Sequence, residues 1–205
     1  MHPNPAFRDA TNEQNLSFAR ERAFGTLAIN ADDGPLISHV PFIISNDGTS
    51  AELHLVRSNP IARALTTSRP AVIAVTGADC YISPDWYETP DMVPTWNYVS
   101  VHLRGRLELA DPASLRDLLI RQSAAFENRL PNKAPWTMDK LTDAQAAKLM
   151  RMILPLRLTI DSVDGTWKLG QNRDQVARLR AAEQVQNGIG HELAEIARLM
   201  TKPPA

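Results

Sequence analysis

The sequence is short of several things at once. Its 205 residues hold a single cysteine, Cys80, so no intrachain disulfide can form, and the fold must be held by packing, as in a reducing compartment. Cys80 itself reads as a core thiol rather than a reactive one. Neither sign of charge dominates: 22 Lys and Arg stand against 23 Asp and Glu, a net charge of -1. No long like-charge run exists to act as a basic arm or acidic tail, and bulk electrostatics do not favour nucleic-acid binding. No stretch approaches the ~18 apolar residues of a membrane span. The opening MHPNPAFRDATNEQ lacks a basic segment followed by an apolar one, so a cytoplasmic location without a membrane partner is expected.

The usual chemical signatures are also missing. There is no G-x-G-x-x-G, no G-x-x-x-x-G-K-[ST] and no G-x-S-x-G, which removes the common support for Rossmann, P-loop and hydrolase-elbow readings. His2, His39, His54, His102 and His191 show no H-E-x-x-H and no cysteine at ligand spacing, so no metal site is expected. Aromatics are scarce, at 6%, yet all 3 Tyr and two of the 4 Trp fall in one stretch, Tyr81, Trp86, Tyr87, Trp96 and Tyr98.

What is present reads as helices framing a β-rich middle. Thr11 and Gln14 have the capping-box spacing ahead of a helix to about Arg22. GTLAIN and LISHVPFIIS are rich in β-branched residues, and Asp47-Gly48 marks a hairpin turn into ELHLV. AVIAVTG reads as a strand buried on both faces. In YVSVHLRGRLELA, Val99, Val101, Leu103, Leu107 and Leu109 share one face, interrupted by Gly105. Asp111-Pro112 opens a helix, and Thr142 with Gln145 repeats the capping-box spacing before another. LPLRLTIDSV is expected to turn at Asp164-Gly165 into TWKLGQN, followed by two short helices around Gly188 and Gly190. Strand runs without regular βα alternation point to an α+β protein, mainly β, built on an antiparallel barrel. The length suits one core domain, residues 1–172, with a helical extension over 173–205.

Two places carry chemistry. After ELHLV come Arg57, Ser58 and Asn59, with Asn59 able to cap a helix through IARALTTS and Pro60 at its first position. Structural capping accounts for this junction, and so does binding of a phosphate at a helix N-terminus. The second place is YISPDWYETPDMVPTWNYVSVHLRG. Pro84, Pro90 and Pro94 exclude regular structure between the flanking strands, which puts Trp86, Tyr87 and Trp96 on a rigid irregular loop. Such a loop could stack on a planar heterocycle, fill a subunit interface or pin itself to its own barrel. Ser83, Thr95 and Asn97 add hydroxyl and amide groups beside it. His39, His54 and His102 lie on strands, where ordinary hydrogen-bonded histidines are as consistent as a cluster.

HLVRSNP resembles an H-L-A-R-A-N-P signature, YISPDWY a Y-I-S-P-x-W-Y, VPTWNYVSVHLRGRL a V-P-T-W-N-Y-x-x-V-H-x-x-G and WKLGQN a K-L-S-Q-N. With HPNPAF and ISHVPF, these are similar to the PaiB family of FMN-binding negative transcriptional regulators, from about Met1 to about Gln184. Gly170 stands where the last motif usually has serine. The resemblance implies an antiparallel Greek-key split barrel that dimerises with two FMN sites at the subunit interface. It makes Arg57, Ser58 and Asn59 candidates for the phosphate. Tyr81, Ser83, Thr95, Trp96, Asn97 and Tyr98 become candidates for the isoalloxazine and ribityl contacts or the dimer seam. Lys168, Gln171 and Asn172 become candidates for the ring or phosphate, with His39 and His102 behind them. The family name implies a regulatory, redox-linked role; FMN-dependent oxidoreduction with a nicotinamide donor is the alternative, by analogy with relatives on the same barrel.

The C-terminal QVARLRAAEQVQ and HELAEIARLM have a faint helix-turn-helix spacing. Residues 173–205 carry five Lys and Arg against four Asp and Glu, and the second helix offers Glu192 and Glu195. Carboxylates repelled by phosphate argue against direct DNA reading and for a packing helix pair.

Overall fold

The computed structural model describes residues 2–204. Among them lie seven strands: β1 (Phe24–Ala31), β2 (Gly34–Ile44), β3 (Ser50–Val56), β4 (Arg69–Ile82), β5 (Thr95–Leu109), β6 (Ile153–Lys168) and β7 (Gly190–His191). The helices are α1 (Asn12–Arg22), α2 (Pro60–Ala64), α3 (Leu115–Glu127), α4 (Asp143–Met150), α5 (Gln175–Gln184) and α6 (Leu193–Thr201).

The strand order is β1-β2-β3-β6-β5-β4-β7, and β4 also pairs with β1. Two three-stranded meanders, β1-β2-β3 and β4-β5-β6, thus join at both edges, which removes the open edges a six-stranded sheet would leave. The antiparallel registers include Leu27 opposite Ser38, Leu27 opposite Ile73 and Leu53 opposite Leu156. This is the expected α+β split barrel.

The chain divides into two compact units. One comprises residues 23–74 and 103–162, and its core is the barrel interior, with Leu27, Ile29, Phe42, Leu53, Ile73, Leu103, Leu107, Leu156 and Leu158 all buried. The other comprises residues 1–22, 75–102 and 163–205. Its core gathers Cys80, Ile82, Tyr87, Val99, Trp167, Leu169, Val185, Ile196 and Met200. Residues 173–205 contribute buried side chains to this second core.

Several expectations need correction. AVIAVTG is part of a 14-residue strand whose Val72 and Ala74 are half-buried and Thr76 exposed. Over this stretch a single face packs, with Ala71, Ile73 and Val75 buried. The buried parity shifts at Gly77-Ala78, where a Cβ on Gly77 would meet the Phe18 ring at 2.7 Å. The turn at Asp164-Gly165 does not exist: β6 runs unbroken for 16 residues. Gly165 is needed there for close approach, since a Cβ would lie 2.0 Å from Asn15 Oδ1. The helix after Asn59 stops at Ala64 after 5 residues, short of the expected Ser68. Trp96 sits on β5, not on the loop, and Trp86 and Tyr87 lie in a short 3-10 helix, Pro84–Tyr87, whose first position accepts a proline. The strand β7, paired through His191 to Asp79 and Gly190 to Cys80, takes the end of the expected helix-helix link and the first residue of the expected last helix, which begins instead at Leu193.

Candidate functional site

The candidate residues fall into two groups, each within one compact unit. In the barrel unit, β3 delivers Arg57, Ser58 and Asn59 to α2. Asn59 Oδ1 accepts from the Ile61 N–H at 2.9 Å, and its Nδ2 donates to Ser38 Oγ on β2 at 3.1 Å. Both ends of the amide are thus committed to holding the turn. Arg57 is fixed twice: its backbone N–H donates to the Met152 carbonyl at 2.9 Å, and its Nε donates to the Arg151 carbonyl at 2.7 Å. This anchors an exposed guanidinium by Nε, and its terminal nitrogens have no partner among the described residues. The Ser58 hydroxyl is also exposed. Because α2 has 5 residues, its dipole is weak, and an anion here depends on the guanidinium rather than on the helix end. His39 lies exposed on β2, its ring stacked on Phe24 with centroids 6.5 Å apart.

The second group belongs to the other unit. The Lys168 ammonium, at the end of β6, donates to Thr95 Oγ1 at the start of β5 and lies 5.9 Å from the Phe7 ring centroid. Burial, reinforced by the nearby Arg173 charge, pushes its pKa below the ordinary lysine value. Gln171 folds back on its own strand, donating to the Trp167 carbonyl at 2.5 Å and accepting from the Leu169 N–H at 2.8 Å. Its side chain shapes the turn in which Gly170 adopts φ +79°. Asn97 is buried, with Nδ2 on Met200 Sδ at 3.5 Å. Tyr81 and Trp96 meet edge to face at 6.2 Å, one half-buried and the other 46% exposed. Ser83 precedes the 3-10 helix Pro84–Tyr87 without capping it through its side chain. Tyr98 and His102 are half-buried on β5, and Asn172 is exposed. Tyr81, Trp96, Thr95 and Lys168 are thus held in place with exposed or half-exposed faces, whereas Asn97 and Gln171 are committed to the framework.

Some participants were not foreseen. The Arg151 carbonyl and Ser38, which hold Arg57 and Asn59, contribute a backbone atom and a common serine, neither of which carries a sequence signal. Asn15, buried beneath Trp167 and accepting from its Nε1 at 2.8 Å, has only its position on α1 to announce it. Arg173 lies 5.9 Å from the buried Tyr87 ring, a pairing that its place in the C-terminal charge balance does not announce.

Residues 1–162 match the family model described as "Putative FMN-binding domain". The chain is 27% identical over 199 residues to the protease synthase and sporulation protein PAI 2 of Bacillus subtilis, covering 96% of this chain and 95% of that protein. Among solved structures, the FAD and heme binding protein from Mycobacterium smegmatis superposes with a TM-score of 0.59 at 19% identity, over 79% of this chain and 73% of that one. A conserved hypothetical protein from Mycobacterium tuberculosis, Rv2991, gives 0.58 at 13% identity, over 84% and 94%. At these identities the two structures establish the fold. With the matched model spanning the whole barrel unit and both ends of the Arg57 turn, the chain belongs to the PaiB-like family of FMN-binding proteins.

Proposed function

We propose that this protein binds FMN with the phosphate on Arg57 and Ser58, and that it works as a redox-linked regulatory flavoprotein. The observation that carries the phosphate assignment is the exposed Arg57 guanidinium, anchored through Nε to the Arg151 carbonyl at 2.7 Å, with its remaining donors unpartnered among the described residues. A charge-assisted fork held in advance loses little freedom on binding a phosphate. FMN, when bound, supplies one- and two-electron transfer, while the chain supplies binding, orientation and access.

The C-terminal helices favour action through the flavin over direct DNA reading. α6 turns Ile196, Ala197 and Met200 inward, and its outward Arg198 pairs with Glu195 at 2.6 Å. A helix whose exposed arginine is neutralised on its own surface gains little from DNA phosphates. This observation also keeps an FMN-dependent oxidoreductase with a nicotinamide donor as the second reading.

A homodimer is part of the proposal. The outward positions Phe24, Thr26 and Ala28 on β1, Ile37, His39 and Pro41 on β2, and Val72 and Ala74 on β4 stand side by side in register. They include no Asp, Glu, Lys or Arg, and Phe24 and Ile37 are 53% and 58% exposed. A largely apolar sheet face free of Asp, Glu, Lys and Arg fits a second copy of the chain.

Titration of the purified protein with FMN, followed by stopped-flow reduction with NADH and NADPH, tests the reading. Failure to bind FMN removes it. Rapid turnover with a nicotinamide moves the assignment to the oxidoreductase, and salt-sensitive retardation of promoter DNA moves it to direct repression. Light scattering of Phe24→Asp tests the face: a protein that stays dimeric places the interface elsewhere.

A further inference from the structure

In the barrel unit, a groove of about 400 Å³ opens beside Arg57, within the ~300–1,000 Å³ typical of small-molecule sites. Arg57, Arg116 from the first turn of α3 and Arg151 from the end of α4 line it, and no carboxylate does. Among the described residues none of the three guanidinium groups pairs with an acid, whereas Arg121, on α3 as well, is bonded to Glu52 and Asp117. Three unneutralised arginines on one concave surface create a positive potential that an anion relieves. The Arg151 carbonyl, which would repel an anion at the end of α4, is already covered by the Arg57 Nε. The remaining wall is apolar, with Leu115, Met150 and Ile153 contributing. Leu115 is buried and the other two half-buried.

A charge-only site would not need this wall. We infer that the groove binds a second phosphate ester carrying a planar apolar group, the chemistry of an adenine nucleotide. The inference rests on the placement of the flavin phosphate at Arg57, which then sits at the groove's mouth. Two sources offer that chemistry: the adenylyl half of FAD, continuous with the flavin phosphate, or a separate adenine nucleotide such as that of a nicotinamide donor.

The test uses the full chain and four probes, FMN, FAD, 5′-AMP and inorganic phosphate, each titrated calorimetrically against the parent protein, Arg116→Ala and Arg151→Ala. Arg151→Ala keeps the carbonyl that holds Arg57. If the adenylyl half occupies the groove, FAD binds about tenfold or more tightly than FMN, and either variant removes that advantage while leaving FMN affinity within about twofold. If a separate nucleotide occupies it, FMN and FAD bind alike, and 5′-AMP binds to the FMN-loaded protein with a loss of about tenfold in either variant. Equal affinities for FMN and FAD with no 5′-AMP binding overturn the inference, as does phosphate binding as tightly as 5′-AMP. Binding of 5′-AMP without any FMN binding would uphold the groove while removing the flavin reading, so the two failures are distinguishable.

Discussion

Gly105 on β5 lies against Thr159 on β6 so closely that a Cβ on the glycine would stand 1.7 Å from the Thr159 carbonyl oxygen and 3.1 Å from Ile160 Cα. The obstacle is backbone, which cannot rotate away as a side chain would. Gly105→Ala should therefore cost about 2–4 kcal/mol of stability, read as a lower denaturation midpoint. An alanine variant as stable as the parent would show that the strands separate at little cost.

Arg57→Ala should weaken FMN by about tenfold or more while changing riboflavin affinity little, because the charge-assisted phosphate contact is lost for FMN alone, whereas the lost Nε bond to the Arg151 carbonyl bears on both ligands equally. Paired titrations by flavin fluorescence check this. Equal losses for the two ligands would mean that Arg57 shapes the turn rather than holding the phosphate.

Asn15 and Trp167 form a buried pair within one unit, with Trp167 8% exposed and Asn15 4%. Asn15→Leu removes the acceptor of the indole N–H, and leaving a buried donor unsatisfied costs about 1–3 kcal/mol. Urea unfolding followed by tryptophan fluorescence measures the loss, and an unchanged midpoint would show that another acceptor replaces Asn15.

Glu52 on β3 accepts from Arg121 at 2.8 Å and Arg157 at 3.2 Å. Burial opposes its ionisation, but the two guanidinium groups outweigh it and hold the carboxyl below the ordinary glutamate range. The folded-state pKa lies below the unfolded one, so this stabilisation is present above the unfolded value and disappears as pH falls through the folded one. Glu52→Gln should accordingly destabilise the protein at neutral pH, and the gap from the parent should close in acid. A gap independent of pH would assign Glu52 to packing alone.

Cys80 has no exposed surface, and burial, aided by Asp79, pushes its thiol up to about 11. The thiolate is the reactive form, so a disulfide reagent at neutral pH should label the protein only after unfolding. Rapid labelling of the native state would show local opening around β4.

The local signals in the sequence were those that depend on near neighbours alone. The capping box of Thr11 and Gln14 forms in both directions, at 2.7 and 3.2 Å, and that of Thr142 and Gln145 is also complete. Alternation along Val99, Val101, Leu103 and Leu107 put these four on the buried face; Leu109 at the strand end is 43% exposed, since periodicity does not say where the covering layer stops. Asp164-Gly165 misled because Asp-Gly is common in turns, whereas this glycine answers to Asn15, 150 positions away in sequence.

The candidate site divides the same way. The order of residue types, Arg57 after a strand, Pro60 opening a helix, aromatics beside prolines and Lys168 near the end of the last long strand, was fixed by sequence, and with it the family and the barrel. Which atoms are left over for a ligand was decided by tertiary structure. Asn59 and Gln171 carry the same functional groups as any binding residue, but Ser38 and the Trp167 carbonyl take them up. Arg57 keeps its terminal donors because the Arg151 carbonyl takes up Nε alone. A hydrogen-bonding side chain has a small number of donors and acceptors, and how many remain after folding depends on partners that sequence distance does not reveal.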